Sequence, residues 1–293
     1  MDEQLSDQLT LETDAEFNDP LERVAYGAGM MLDLGTIRDE QRYHRRRLNR
    51  HHYWLHGYGT VCGLAVRLAH VPPQPDVEET IRVIVAPGMA VDALGREVLV
   101  NEPYCINLNQ WLAAQDPASL LEGYDEIGNI LHLKVTARHK DCLTGLQPTL
   151  ARKVNASTDA VSASRNRDSV LLELRPVSPD SDYQNRPWPA HEAIDTDTAL
   201  EDLLTDTEQA YIDSAPEADR PRLRRQARLM HAARPLAEND TAEPAALAQV
   251  LLAHLTLTNV TDINDISLAP ETTHANNLVR PFISGNSQLG QMI

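Results

Sequence analysis

The sequence is short of lysine, phenylalanine, cysteine and long apolar runs, and each shortage excludes a class of protein. The 293 residues include three lysines against 23 arginines, two phenylalanines and three cysteines. Without a run of about 20 apolar residues, the chain is predicted to have no membrane-spanning helix. Cys62, Cys105 and Cys142 are too few and too scattered for a disulfide framework, and their odd number is typical of a reducing compartment. We therefore expect a cytoplasmic protein.

The formal net charge of −17 at pH 7 is unevenly distributed along the chain. Residues 1–22 contain eight acids and no base, which predicts a flexible acidic arm over residues 1–24 and no secretory or transit peptide. Nucleic-acid binding requires positive surface that displaces counterions, so an acidic chain is a poor general coat for DNA or RNA. Since nearly all the positive charge is arginine, we interpret the basic groups as residues that pair bidentately with carboxylates of other proteins.

A polar helix is predicted from about residue 37 to residue 55. Thr36 is a candidate N-cap, Asp39 and Glu40 follow in the first turn, and Gly57 is a stop signal. Spacings of three and four form one stripe on this helix: Gln41, His44, Leu48, His51 or His52, and Leu55. Arginines at spacings of four form a second stripe: Arg42, Arg46 and Arg50. Because the helix has few aliphatic residues, its contacts are expected to be polar or aromatic.

The interface candidates come from this helix and from a second basic segment. They are the residues best suited to contacts with another subunit: Arg42, Tyr43, Arg46, Arg50, Trp54, Arg224 and Arg228.

After the helix, the apolar period changes from helical spacing to two, which predicts strands. The predicted strands cover residues 60–71, 80–86, 89–100 (a hairpin turning at Leu94-Gly95), 129–137, 169–175 and 250–258. The predicted later helices cover residues 107–114, 197–204, 206–214, 220–233 and 243–249. Residues 140–168 are polar and are predicted to form a long excursion.

These elements predict an α+β fold in which a long N-terminal helix packs on an antiparallel β unit. A helical C-terminal insertion and an extended tail follow, and such tails commonly become ordered by adding to another subunit. The predicted organisation is an arm at 1–24, a helix-plus-sheet domain at 25–177, a helical segment with the last strand at 178–261, and the tail at 262–293.

A histidine cluster in the helix supports a second interpretation, a metal-binding module or metal-dependent enzyme. His52 and His56 are four residues apart on one helix face, a spacing that chelates metals, and His44, His51 and Cys62 are close in sequence. The alternative is that these histidines pack and form hydrogen bonds where the helix meets the sheet. A buried thiol is the ordinary expectation for Cys62.

Catalytic motifs are not found in the sequence, so we predict neither catalytic residues nor a cofactor, and no enzyme activity. Asp92 and Glu97 flank the hairpin turn and are a candidate acid–base pair, but Asp92 is expected to shape the turn and Arg96 to offset the charge of its neighbours. The run His139-Lys140-Asp141-Cys142 is too weak a pattern to define a site.

Seven short segments follow one another in a fixed order near the N-terminus: YGAGMMLD at 26–33, DEQRYH at 39–44, RLNRH at 47–51, LHG at 55–57, VCGL at 61–64, VAPGMAVD at 85–92 and GRE at 95–97. This run resembles a protein family often encoded beside phage-tail-like contractile injection systems, and so does SRNRDSVLLELR at 164–175. The chain departs from the family pattern at residues 49–52, where NRHH replaces a more usual His-Asn pair.

The resemblance implies a non-catalytic structural subunit at the baseplate or spike, as a baseplate extension, a spike cage or a membrane-anchoring part. Its implied partners are other subunits of the particle, including baseplate, spike, tube or sheath proteins. We also expect a homo-oligomer in a symmetric ring, no nucleic-acid partner, and membrane contact only through the assembled particle.

Overall fold

A computed structural model describes residues 20–73, 79–148, 161–178, 204–231 and 244–283. The chain divides into two units, Met1–Asn185 with Glu243–Ile293, and Arg186–Ala242. Both helices and sheets are present, which confirms the α+β class. The predicted arm up to residue 19, the predicted helix before residue 204 and the tail from residue 284 lie outside the described residues. Among the helices of the described ranges, none is both long and apolar enough to cross a bilayer.

The first helix, α1 (Leu34–His56), begins earlier than predicted because its N-cap is Asp33 and not Thr36. The Asp33 carboxylate accepts a hydrogen bond from the backbone N–H of Thr36 at 2.8 Å, which satisfies one of the unpaired donors of the first turn. The helix ends as predicted at Gly57, whose φ of 83° suits glycine and whose N–H donates to the carbonyl of Tyr53.

Helix α1 buries a polar face and leaves its apolar residues in solvent. Its buried residues are Arg46, Asn49 and Tyr53, spaced three and four apart. The stripe predicted from spacing lies on the other side, where Leu48 and Leu55 keep more than half of their surface exposed. The expectation of polar and aromatic contacts is confirmed.

The first unit contains three sheets, and every pairing between their strands is antiparallel. The first sheet has the order β1–β4–β5, with β1 Gly59–Gly63, β4 Gly88–Val91 and β5 Glu97–Val100. The second has the order β2–β3–β6, with β2 Val66–Val71, β3 Thr80–Val85 and β6 Tyr104–Asn107. Helices α2 (Leu108–Ala113) and α3 (Pro117–Leu120) and a 3-10 turn at Leu121–Gly123 lead to the third sheet.

The predicted strand at 60–71 is two strands in different sheets, because the chain turns at Gly63 and Leu64, both with positive φ. At this turn the backbones of Gly63 and Gly88 are nearly in contact. A Cβ atom on Gly63 would lie 2.1 Å from the carbonyl oxygen of Pro87, and one on Gly88 would lie 2.3 Å from that of Cys62. Two glycines are therefore required where β1 and β4 meet.

The third sheet is built on one long strand, β8 (Ile130–Pro148). One edge of β8 pairs with β10 (Gln249–Leu257), and β10 in turn pairs with β11 (Thr273–Asn276). The other edge pairs with β7 (Tyr124–Asp125) and then with β9 (Val161–Pro176). A short helix, α6 (Pro244–Leu247), precedes β10.

The excursion predicted at 140–168 is wrong, because β8 and β9 continue through most of it as a two-stranded ribbon. Their pairing extends from Leu133 opposite Pro176 to Pro148 opposite Val161, whereas β10 ends its pairing at Arg138. The ribbon has no buried face, so its sequence shows no alternation of apolar and polar residues from which strands could be predicted.

The core of the first unit lies between the sheets. Leu131, Leu133 and Val135 of β8 pack with Leu255 of β10 and Val98 of β5, all of them buried. The strand predicted at 250–258 is confirmed as β10, and it belongs to this core.

The described part of the predicted tail contacts its own domain. The side-chain amide of Asn277 bonds both the N–H and the carbonyl of Val66, at 2.8 and 2.9 Å. The N–H of Thr60 donates to Pro281, and the N–H of Ile283 donates to Thr60. Over these residues the tail packs on strands of its own unit.

The second unit contains the predicted pair of helices, α4 (Asp206–Ser214) and α5 (Arg220–His231). Thr205 caps the start of α4, and Ile212 and Ala227 are buried where the two helices pack.

Candidate functional site

The hairpin turn between β4 and β5 is organised by one buried carboxylate. Asp92 is completely buried and accepts hydrogen bonds from the N–H groups of Leu94 and Arg96, at 2.9 and 2.8 Å. It also accepts from Nε of Arg96 at 2.8 Å. These contacts confirm that Asp92 shapes the turn, and they leave it no role as the acid–base partner of Glu97.

Helix α1 contacts this turn with almost no space between the two backbones. A Cβ atom on Gly95 would lie 1.9 Å from the carbonyl oxygen of Asn49, and the φ of Gly95 is 78°. The ring Nδ1 of His52 lies 3.1 Å from the carbonyl oxygen of Gly95, which it bonds as a donor. The predicted hydrogen-bonding role of a helix histidine at the junction is confirmed for His52.

A groove of about 330 Å³ lies beside this contact and is lined by both charged and apolar side chains. It is bounded by α1, by the β4–β5 hairpin and by the base of the β8–β9 ribbon. The charged residues that line it are of both signs: Arg45, Arg96, Glu97, His139, Asp141 and Asp168.

His139, Asp141 and Asp168 converge at the ribbon side of the groove, with their potential ligand atoms within 4.8 Å of one another. His139 Nε2 lies 3.2 Å from Asp141 Oδ1, and its Nδ1 lies 3.2 Å from the carbonyl oxygen of Glu97. Burial lowers the pKa of His139, but the hydrogen bond to Asp141 and the nearby carboxylates outweigh burial, so that the pKa is raised. The same hydrogen bond lowers the pKa of Asp141.

With His139 protonated, this arrangement is an ion pair. Because both ring nitrogens of His139 face oxygen acceptors, the protonated ring donates two hydrogen bonds and has no lone pair to offer. A metal ion would have to displace the proton that His139 shares with Asp141, next to the positive charges of Arg45 and Arg96.

The histidines singled out in the sequence do not assemble with Cys62 into a site. Within the described ranges, the one group of three or more candidate ligands is that of His139. His44 lies on the exposed side of α1 and bonds Glu40 at 2.9 Å, whereas His52 faces the hairpin. Cys62 is exposed, so its predicted burial is wrong.

The interface candidates separate into different surroundings. Arg42 and Tyr43 line a cleft of about 590 Å³ between α1 and residues 20–25, together with the buried Arg46. Arg42 pairs with Asp39, and the Tyr43 hydroxyl accepts from Arg47 at 2.9 Å.

The remaining candidates lie on other faces. Arg50 and Trp54 are half-buried on α1. Arg224 is exposed on α5 in the second unit, and the side chain of Arg228 lies outside the described residues.

Sequence reasoning missed the groove because the residues that form it are distant in sequence. The run from His139 to Cys142 was visible, but its contact with Asp168 depends on the register that places Asp141 opposite Asp168 in the ribbon. Only a prediction of continuous pairing across residues 140–168 would have indicated it.

No protein-family model matches the sequence, and a search of curated proteins found no match.

Gly95→Ala is expected to destabilise the first unit by roughly 2–4 kcal/mol, because the new Cβ collides with the α1 backbone and φ is positive. Urea unfolding followed by circular dichroism measures the change. The control is Gly27→Ala, since a Cβ at Gly27 meets no atom within 4 Å and should change stability by less than about 0.5 kcal/mol. Equal effects of the two substitutions would contradict the close contact.

His139→Gln is expected to destabilise the protein more at about pH 5.5 than at about pH 9. A raised pKa in the folded state gives stability that is complete below the unfolded value of about 6.5 and lost as the pH rises through the folded value. The lowered pKa of Asp141 gives stability present above about pH 4 and lost on acidification through its folded value. The measurement is the urea midpoint at both pH values, with the exposed His274→Gln as control. A pH-independent loss would refute the ion pair.

Proposed function

We propose that this chain is a non-catalytic structural subunit of a phage-tail-like contractile injection system, located at the baseplate or spike. The observation that carries the proposal is the ordered run of motifs between residues 26 and 97. Its partners are then the baseplate, spike, tube or sheath subunits and further copies of itself in a symmetric ring. Contact with a membrane is made through the assembled particle, as an anchoring part of the baseplate end.

The positions of the motif residues support a structural role. Asp92, Gly95 and Arg96 form the turn that receives α1, and Gly63 and Gly88 permit the contact between β1 and β4. The fold itself uses the polar groups of Asp92 and Arg96, and it requires the absence of a side chain at the three glycines. A motif run of this kind is typical of a shared architecture and not of a shared reaction centre.

The exposed apolar surface at the start of α1 supports association with other proteins. Tyr26, Met31, Leu32 and Leu34 each expose more than half of their side chains within a stretch of nine residues. Several large exposed apolar residues close together in the chain are typical of an interaction site.

The β8–β9 ribbon supports the same conclusion. From His139 to Pro148 it extends for ten residues, about 33 Å at the usual rise, and none of the described strands pairs with it there as a third strand. An isolated two-stranded ribbon is only marginally stable in water. Leu143 and Leu146 are exposed on it, which suits contact with a neighbouring subunit.

The basic residues favour protein partners over nucleic acid. Arg42 pairs with Asp39, Arg96 with Asp92, and Arg175 with Glu173. Each pairing neutralises a positive charge that a nucleic-acid-binding protein would use to contact phosphates.

The proposal predicts that the ribbon contributes to incorporation into the particle. The double variant Leu143→Asp, Leu146→Asp is expected to fold normally and to lower the amount of chain in purified particles at least about tenfold, the factor that 1.4 kcal/mol produces. Quantitative mass spectrometry of particles from cells expressing each variant measures this. Ile127→Asp changes an exposed isoleucine away from the ribbon and is the matched control.

Deletion of the gene provides the test of the proposal as a whole. A tagged chain should co-purify with sheath, tube or spike proteins, and the deletion should alter the composition or attachment of the particle. Intact particles of unchanged composition and attachment would reject the proposed function.

The second candidate function is metal binding, and the convergence of His139, Asp141 and Asp168 is the observation that favours it. Because these groups already form an ion pair, we expect purified protein to contain less than about 0.1 equivalent of zinc, nickel or copper by elemental analysis. Stoichiometric metal lost in His139→Ala would support a site there, and metal lost in the double variant His52→Ala, His56→Ala would support one on α1. Either result would replace the non-catalytic proposal.

A further inference from the structure

Helix α1 carries a coiled-coil seam on the side opposite its buried residues; Leu48 at the edge of this seam also lines the groove, and within the described residues no other helix packs on it. Seven exposed residues follow alternating spacings of three and four over three heptads: Leu34, Ile37, Gln41, His44, Leu48, His51 and Leu55. In the heptad notation abcdefg, Leu34, Gln41, Leu48 and Leu55 occupy a positions, and the other three occupy d positions. We call this set the α1 seam.

The apolar members of the α1 seam are exposed to a degree that a monomer does not explain. Leu34, Ile37, Leu48 and Leu55 each leave half or more of their surface in solvent. The opposite face, with Arg46, Asn49 and Tyr53, is the one that packs on the hairpin. The helix is therefore held by its polar side and presents its apolar side outward over about 34 Å.

We propose that the α1 seam packs against the α1 seam of a second copy of this chain, with the two helices parallel and in register. The spacing specifies a helix as the occupant, because a strict 3.5-residue repeat matches only another helix that winds around it. The charges beside the seam favour a second copy of this chain as the partner, and they favour a parallel direction of the two helices.

Opposite charges face each other more often in the parallel arrangement than in the antiparallel one. The g positions carry Glu40, Arg47 and Trp54, preceded by the N-cap Asp33, and the e positions carry Arg38, Arg45 and His52. A parallel pair sets each g residue against the e residue five positions later in the other copy, which joins Asp33 to Arg38 and Glu40 to Arg45, twice each by symmetry, and sets Arg47 against His52. An antiparallel pair joins Glu40 to Arg47 along the g row, but it sets e against e, and that row contains no acid.

The polar members of the α1 seam fix the register of the pair. Gln41 lies at an a position and meets Gln41 of the other copy when the helices are in register, where the two amides can bond each other. A shift by one heptad would place it against leucine. His44, at the next d position, is held by Glu40 beside the seam. The polar Gln41 and His44 layers reduce the affinity of one helix for the other. Pairing is therefore strongest where an assembly already holds copies of the chain close together.

This inference deepens the self-association included in the proposed function and identifies the surface that performs it. It depends on α1 and on the exposure of its seam, and not on the identity of the particle.

The first test is disulfide cross-linking of the full chain in a background of Cys62→Ser, Cys105→Ser and Cys142→Ser. Gln41→Cys places its thiol opposite its own copy in a parallel, in-register pair, within disulfide reach. Arg42→Cys is the matched control, because it is the adjacent exposed position and lies off the seam. We expect Gln41→Cys to form at least ten times more covalent dimer under mild oxidation than Arg42→Cys. Equal or absent cross-linking overturns the proposal.

The second test is the association constant from sedimentation equilibrium. Leu48→Glu should weaken self-association at least tenfold, Gln41→Leu should strengthen it, and Ile127→Glu should leave it unchanged, with circular dichroism confirming the fold of each. A chain that stays monomeric, or a dimer indifferent to Leu48→Glu, overturns the seam. A monomer that still co-purifies with sheath or tube proteins refutes pairing through the α1 seam and leaves the proposed function standing. A cross-linked dimer that co-purifies with no such proteins supports pairing through the α1 seam and counts against the proposed function.

Discussion

The first unit depends on the carboxylate of Asp92 more than on any other single group. A buried charge is tolerated only where hydrogen bonds and an opposite charge replace the lost water, and Leu94 and Arg96 supply both. The turn that results has the positive φ and the missing side chain at Gly95 that let the backbone of α1 approach it. The helix, the hairpin and the groove beside them all take their positions from this contact.

Because α1 packs on its own domain mainly through polar groups, most of its aliphatic side chains remain exposed. Directional hydrogen bonds such as that from His52 to Gly95 set the orientation of the helix more narrowly than apolar packing would. Further exposed apolar residues precede α1, and Leu143 and Leu146 are exposed on the ribbon. The motif segments contribute to both sides of α1, since Asn49 contacts the hairpin whereas Leu48 and Leu55 remain exposed.

The fold class and most element positions followed from the sequence, since periodicity and turn residues determine them locally. The helix at 206–214 and the hairpin around Gly95 agree with the structure because capping and turn chemistry act over a few residues. The buried face of α1 could not be predicted from the sequence, because it is largely polar and hydrophobic periodicity assigns polar residues to the solvent-exposed face. The ribbon and the His139 cluster also did not follow, since each depends on pairing between β8 and β9, whose partners are up to about 40 residues apart.

Strand β8 has a mechanical consequence. It is one uninterrupted strand whose first half lies in the core between β10 and β9 and whose second half forms the ribbon. The pairing of β8 with β9 has no loop between the core and Thr144, and it is interrupted only near the outer end at Gly145, whose φ is 68°. A force applied to the inner part of the ribbon is therefore expected to be transmitted to its base, where His139 bonds the carbonyl of Glu97 beside the turn that receives α1.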